Sequence, residues 1–208
     1  MANVNAPRGL SPVGTLTGAP FNEQGQLFAI ASDASNTYAI GDVVKLSSGS
    51  DANGIPYAIK AATTDVPVGV IVGIRPADAG VSLQGTNIDL GKLYLSLSSG
   101  IRYAYVVTDP SVIFEVQGNA TGVALADVNK NAGMTITADQ TSSLSQSSPL
   151  SNTVLNAASF LAQGSSGSLA LPLTIIGLSR RPDNSAGAYA DALVIFNKHQ
   201  YKQAAGTA

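Results

Sequence analysis

The chain of 208 residues contains no cysteine and no tryptophan. Without cysteine it can form no disulfide, use no thiol nucleophile and bind no metal through thiolates. Aromatic residues make up only 6% of the chain, which gives weak support to a carbohydrate platform or to a surface on which bases stack. Tyr94, Tyr103 and Tyr105 could form a small tyrosine patch, although packing across neighbouring strands is the simpler interpretation.

Charged residues are also scarce. They account for 12% of the sequence, about half the share that is usual in soluble domains. The net charge is −2. No block of lysine and arginine is present, so we expect no nucleic-acid partner, because such binding relies on many contacts to phosphate. A weakly charged surface rich in serine, threonine, asparagine and glycine is typical of a protein that works inside an assembly, although some stable β-proteins share this composition.

Long apolar runs are missing as well. The longest is residues 67–74, which is far too short to span a membrane. The N-terminus does not have the charged head and apolar stretch of a signal peptide. We therefore expect no membrane partner and no secretion signal.

The residues that could support catalysis do not form a recognisable motif. His199 is the only histidine and lies close in sequence to Asp183 and Asp191. A catalytic histidine also needs a nucleophile to activate, but the chain has no G-x-S-x-G motif and its serines cluster in loops. The only glutamates are Glu23 and Glu115, and nothing in the sequence brings either one next to an aspartate, as a glycosidase requires.

Metal and phosphate sites lack their sequence patterns too. The carboxylates are scattered without the spacing of metal ligands, and neither of the glycine-rich phosphate-binding motifs occurs. We therefore predict that the protein is not an enzyme and has no catalytic residue, no cofactor and no metal. A glycosidase or esterase on a β scaffold is the alternative, and replacement of His199 and Glu115 by alanine would test it.

Strand-like patterns recur along most of the chain. Strands are predicted at residues 41–46, 55–61, 66–75, 92–97, 101–107, 112–117, 133–138, 168–180 and 190–198. The segments 101–107 and 112–117 are expected to form a hairpin around Asp109 and Pro110. Alternation along the second of these segments places Glu115 on the solvent face.

Three other features refine this pattern. Gly69 and Gly73 predict a bulge or a close backbone approach within a buried strand. Residues 153–163 are the one place where a short helix would fit, with short strands as the alternative, and the serine-rich residues 139–152 predict a surface loop or a weak strand pair. The spacing of the turns predicts an all-β fold, a β-barrel or jelly-roll-like sandwich of about ten strands, in a single domain over residues 23–208.

Residues 1–22 differ from the rest of the chain. Three prolines and three glycines exclude a helix and disfavour a central strand, so this region is predicted to be an extended N-terminal arm. Its apolar side chains could dock on a neighbouring protein. The residues expected to make this interaction are Pro7, Arg8, Leu10, Pro12, Val13 and Phe21.

Residues 180–189, RRPDNSAGAY, predict a turn that leads into the last strand. The residue before a proline disfavours helix, aspartate and asparagine favour turns, and glycine adopts positive φ readily. The predicted structural turn comprises Arg181, Pro182, Asp183, Asn184 and Gly187. We expect Arg181, Asp183 and Asn184 to lock it through bonds from side chain to backbone, and Asn197 and His199 to form hydrogen bonds at the end of the strand.

Several segments together resemble one family of proteins. They are NAPRGLSPVG near the N-terminus, then GDVVKL, GIPYAIKA, PVGVIVGI and YVVTDPSVIFEVQ, and finally LTIIGLSRRPDNSAGAYADALVIFNKHQY. In this order they resemble the head decoration, or cement, proteins of tailed bacteriophages. The RPDN-x-x-G-x-Y stretch followed by VIFNKHQ is the most specific of these segments.

The resemblance implies a virion structural protein that binds the outside of an assembled capsid and stabilises it. Its partners would be the major capsid protein and further copies of itself, as a dimer or trimer, on the capsid surface after synthesis in the host bacterial cytoplasm. We expect the arm to cross a seam of the shell and to add to a sheet edge of a neighbour. The alternative is another virion component, such as a head-fibre base or a tail protein, that binds a receptor or glycan.

Overall fold

The computed structural model describes residues 3–22, 24–30, 37–75, 94–95, 101–136 and 150–202, with the backbone alone at 94–95. The strands are β1 Ser11–Thr15, β2 Gln26–Ile30, β3 Tyr38–Ala39, β4 Val43–Ser50, β5 Pro56–Lys60, β6 Gly69–Arg75, β7 Tyr94–Leu95, β8 Arg102–Val107, β9 Val112–Gln117, β10 Lys130–Thr135, β11 Val154–Ala162, β12 Leu173–Leu178 and β13 Asp191–Phe196. Three short 3₁₀ turns occupy Leu125–Asp127, Ser168–Ala170 and Gln200–Lys202. The predicted all-β fold is confirmed. No helix in the described ranges is long and apolar enough to cross a membrane.

Five strands close into a barrel in the order β2-β5-β4-β6-β8. β2 and β5 are parallel, and the other pairs are antiparallel. Side chains alternate along β8, so that Ala104 and Val106 are buried whereas Tyr103 and Tyr105 lie half-buried on the other face. The buried set fills the barrel with branched and aromatic side chains, among them Phe28, Ile30, Val44, Ile71, Ile74 and Val106.

The second unit is a six-stranded sheet in the order β1-β9-β13-β12-β10-β11. It curls, because a parallel bridge joins Gly118, just after β9, to Leu155 in β11 at the opposite edge. Its core contains Phe114, Met134, Leu155, Leu173, Ile175 and Val194. The same cluster includes Val43, Val70 and Val107 of the barrel, so this shared core joins the sheet to the barrel beside the separate cluster that fills the barrel.

The predicted irregularity in the strand at residues 66–75 is confirmed. A Cβ atom on Gly69 would lie 2.1 Å from the carbonyl oxygen of Val107, so only glycine lets β6 approach β8 this closely. Further along the same pair, the register shifts between Ile71 and Gly73, which is the signature of a bulge.

The predicted hairpin between residues 101–107 and 112–117 is wrong. β8 pairs with β2 and β6 inside the barrel, whereas β9 pairs with β1 and β13 in the sheet. The turn does form, since the Asp109 carboxylate accepts the backbone N–H of Ser111 at 2.8 Å. The turn passes the chain from the barrel to the sheet. Val107 and Val112, on its two sides, are both buried in the shared core.

The short helix allowed at residues 153–163 is also wrong, since this segment forms strand β11. Asn156 faces Gly133 and Leu161 faces Asn131, so several residues of β11 bulge out opposite one residue of β10. This bulge breaks the period of two and spaces the apolar residues as a helix would. Most of the predicted strand 92–97 and of the serine-rich region 139–152 lies outside the described residues.

Candidate interaction surface

Residues 3–22, the N-terminal segment, lie along the chain's own sheet. β1 pairs antiparallel with β9, with Ser11 opposite Glu115 and Thr15 opposite Val112. Leu10, just before β1, is only 1% exposed and belongs to the shared core. The predicted boundary at residue 22 therefore does not separate a free arm from the domain, because β1 is an edge strand of the domain's own sheet.

Polar contacts anchor the start of the N-terminal segment. The Asn3 amide donates to the carbonyl oxygens of Ser185 and Ala188, both at 2.8 Å. The side chain of Gln117 on β9 accepts the N–H of Ala6 at 3.0 Å and donates to the carbonyl of Val4 at 2.9 Å. These bonds hold the segment to the sheet before β1 begins.

The segment also contacts the barrel. The N–H of Leu10 donates to the carbonyl of Gly41 at 3.0 Å. Gly9 has a φ of +72°, and a Cβ atom there would lie 2.4 Å from that same carbonyl oxygen. Glycine is therefore required at Gly9 for both conformation and space.

Two arginines and two carboxylates form a cluster beneath the segment. Arg8 donates to Glu115 and lies 3.6 Å from Asp191. Arg181 bonds to the same two carboxylates, with a distance of 3.1 Å to Glu115. We call Arg8, Glu115, Arg181 and Asp191 the arginine–carboxylate cluster. In this cluster the two positive arginines neutralise the two negative carboxylates, which are buried.

The prediction that Glu115 faces solvent is wrong. Its side chain also accepts the hydroxyl of Ser179 at 2.6 Å, and the residue is buried. The alternation of side chains along β9 does place Glu115 on the face opposite to Phe114, which faces the core. The face on which Glu115 lies is covered by Arg8 and Arg181, which are remote in sequence, and local spacing cannot reveal that cover.

The predicted turn is held mainly by Asn184. Its side-chain amide donates to the carbonyls of Ser179 and Asp191 at 2.8 and 2.9 Å, and its oxygen accepts the N–H of Asp191 at 2.9 Å. Arg181 acts through the carboxylates of the cluster. Asp183 is exposed and lies 3.5 Å from the Arg181 Nε. Pro182 is also exposed.

Gly187 connects this turn to a neighbouring loop. It has a φ of +132°, in the region that favours glycine. It exchanges two backbone hydrogen bonds with Val123, at 2.9 and 3.0 Å. The turn is thereby tied to the loop that follows β9.

The structure separates the residues that were candidates for catalysis. Asp191 begins β13 and His199 follows its end, so the two residues lie at opposite ends of a strand that is roughly 17 Å long. Asp183 has an exposed side chain, and it forms an ion pair with Arg181. Glu115 and Asp191 do come together, but both bind the two arginines. Within the described ranges, no three histidine or acidic residues group as metal ligands would.

The six predicted interaction residues have different environments. Arg8 belongs to the arginine–carboxylate cluster, Leu10 is in the core, and Phe21 packs against that core. Pro7 and Pro12 are half-buried, and only Val13 is exposed. The large apolar side chains of the segment that are exposed are Val4 at 75%, Val13 at 47% and Leu16 at 55%; we call these three the apolar stripe.

A cleft of about 750 Å³ lies between the N-terminal segment and the barrel. Its walls combine apolar and polar groups. The lining residues are Leu10, Ser11, Pro12, Phe21, Gln24, Gly25, Gln26, Ile40, Val72, Gly73, Tyr105, Thr108 and Asp109. The N–H and hydroxyl of Ser111 hold the pKa of Asp109 below its usual range despite partial burial, so this carboxylate is charged at neutral pH.

Comparison with known proteins adds no relative: no family model, no curated protein and no solved structure matches the chain.

Proposed function

We propose that this chain is a virion structural protein that binds the outside of an assembled bacteriophage capsid and stabilises it. Its partners are the major capsid protein and further copies of the chain, and it breaks no covalent bond. The observation that carries this proposal is the N-terminal segment, which is anchored to the sheet and the core and leaves the side chains of the apolar stripe exposed.

An anchored segment is well suited to binding. Ordering a free arm would cost roughly 1–2 kcal/mol for each residue fixed, whereas this segment is already ordered by β9, the arginine–carboxylate cluster and the core. The side chains of the apolar stripe are half to three-quarters exposed, so each can contribute about 1–2 kcal/mol when a partner buries the rest of it. The low charge of the sequence is consistent with an interface that buries little charge.

Stabilisation of a shell follows from selective binding. A protein that binds the assembled lattice more tightly than free subunits shifts the equilibrium toward the lattice. Many copies add their separate contributions, so each interface can be modest. The resemblance of the N-terminal and C-terminal segments to capsid decoration proteins supports this role.

The proposal is tested by substitution in the apolar stripe. Particles assembled without the chain are mixed with purified wild type, Val13→Asp or Leu16→Asp, and bound protein is measured after sedimentation. Each variant should bind about tenfold or more weakly, because it buries a charge in the interface.

The matched control is Leu169→Asp. Leu169 is 73% exposed and lies outside the N-terminal segment. It should bind as wild type does. Equal binding by all four proteins would show that the stripe is not the contact, and wild type that stays in the supernatant would defeat the capsid-binding role itself.

A second candidate is a head-fibre base or tail component that binds a receptor or glycan. The cleft favours it, because Tyr105, Gln26 and Asp109 offer an aromatic ring, an amide and a carboxylate within a space of ligand size. The two candidates differ in copy number, since a decoration protein follows the repeating lattice and a fibre or tail component does not.

A further inference from the structure

The chain after β13 crosses from the sheet to the barrel. We call residues 197–202 the C-terminal strap. On the sheet side, the N–H of Asn197 donates to the carbonyl of Pro172 at 2.8 Å. On the barrel side, the N–H of Gln200 donates to the carbonyl of Pro67 at 3.0 Å, and the Gln200 side chain accepts the N–H of Leu46 at 2.6 Å.

His199 lies at the centre of the strap. It is 4% exposed, and its ring lies between those of Phe196 and Tyr201, at centroid distances of 6.2 and 5.8 Å. Its Nδ1 accepts the N–H of Tyr201 at 3.2 Å. This bond requires an unprotonated Nδ1, so the closed strap selects the neutral ring.

Protonation would disturb this arrangement in two ways. An N–H at Nδ1 would face the N–H of Tyr201, donor against donor, and the bond would be lost. A positive charge would also appear in a buried position. Among the described residues, the charged groups that act on the ring are Lys202, which repels that charge, and Asp109, which attracts it.

We propose that the C-terminal strap is an acid-sensitive latch between sheet and barrel, which closes when His199 is neutral and opens when it is protonated. Opening breaks the bonds that Gln200 makes to Pro67 and Leu46. The sheet and barrel remain joined through their shared core, so the strap detaches before the whole fold unfolds.

The direction of the pKa shift of His199 agrees with this geometry. Burial, aided by Lys202, lowers the pKa of His199 below its usual 6.5, and this outweighs the opposing effect of backbone carbonyls and Asp109. With the strap open, the ring titrates near its ordinary pKa. The open state therefore binds more protons between the two values, and the closed state loses stability as pH falls below about 6.5 and no further once below the lowered pKa.

One histidine makes the test direct. The imidazole resonance of His199 is followed by NMR from pH 8 downward, together with hydrogen exchange of the backbone amides of Leu46, Gln200 and Tyr201. We expect a titration midpoint below 6.5 and faster exchange of these amides, relative to core amides and the intrinsic rate, as the pH falls through the histidine transition. A midpoint at or above 6.5, or strap amides that stay protected after the ring has titrated, would overturn the proposal.

His199→Asn is the matched variant that does not titrate. The asparagine oxygen can accept the N–H of the residue two positions later, as in an Asx turn. The strap should then stay closed at acid pH. Opening in this variant at the same pH as in wild type would assign the transition to another group and reject the role of His199.

Lys202→Gln provides a second test of the latch, one that leaves the buried ring of His199 in place. Lys202 is exposed, so this variant should keep the fold. Loss of the repelling charge should raise the midpoint of His199 and of strap opening together. If the histidine midpoint rises and the amide transition does not follow it, the latch is refuted even where His199→Asn fails to fold.

Discussion

Single residues that are remote in sequence hold the N-terminal segment in place. The alternating pattern of β9 correctly separated Phe114 from Glu115, and the turn chemistry identified Asn184. The burial of Glu115 could not be predicted, because Arg8 and Arg181 reach it from positions 107 and 66 residues away. A sequence pattern records the face on which a side chain lies and does not record what covers that face.

Glu115→Gln tests the arginine–carboxylate cluster at this scale. It removes one of two carboxylates that neutralise Arg8 and Arg181 while keeping the side chain's size. We expect the free energy of unfolding to fall by about 1–3 kcal/mol, the range for a buried hydrogen-bonded charge that loses its partner. Denaturant unfolding measures the change.

Asp183→Asn is the control for this substitution. Asp183 also faces Arg181, but it is exposed and 3.5 Å away. Surface ion pairs contribute little, so the change should stay within about 0.5 kcal/mol. If Glu115→Gln lowered the free energy of unfolding as little as Asp183→Asn does, the cluster would not stabilise the fold.

At the scale of elements, strands with a clear local pattern of apolar residues were predicted and strands without one were not. The segment 66–75 was recognised from its continuous apolar run, and its glycines marked the bulge and the close approach to Val107. β11 was obscured because its bulge interrupts the period of two. The hairpin failed for another reason, since a tight turn at Asp109 can equally pass the chain between two sheets. The docking of β1 on β9 depends on a pairing between segments that are far apart in sequence, which no local pattern reveals.

Leu10→Ala tests whether the N-terminal segment is part of the domain's own core. Leu10 is buried in the shared core, and truncation of a buried leucine costs about 2–5 kcal/mol. Val13→Ala, three residues further along the same segment, should change stability by less than about 0.5 kcal/mol because Val13 is exposed. Thermal or denaturant unfolding distinguishes the two. Equal small losses would indicate that the segment is not held by the core.

At the scale of the whole molecule, both ends of the described chain connect the barrel and the sheet. The N-terminal segment pairs with β9 and bonds to Gly41, and the C-terminal strap reaches Pro67 and Leu46. The strand-like patterns and the spacing of the turns predicted the all-β class. The division into a closed barrel and a curled sheet could not be predicted, because it depends on which strands pair across long distances in sequence.

The copy number of the chain in purified virions tests the proposed function most directly. Quantitative mass spectrometry gives its molar ratio to the major capsid protein in the same particles. A lattice-bound decoration protein should be present in a simple, constant ratio that reflects the symmetry of the shell. Only a few copies per particle, or none, would contradict the capsid-binding role.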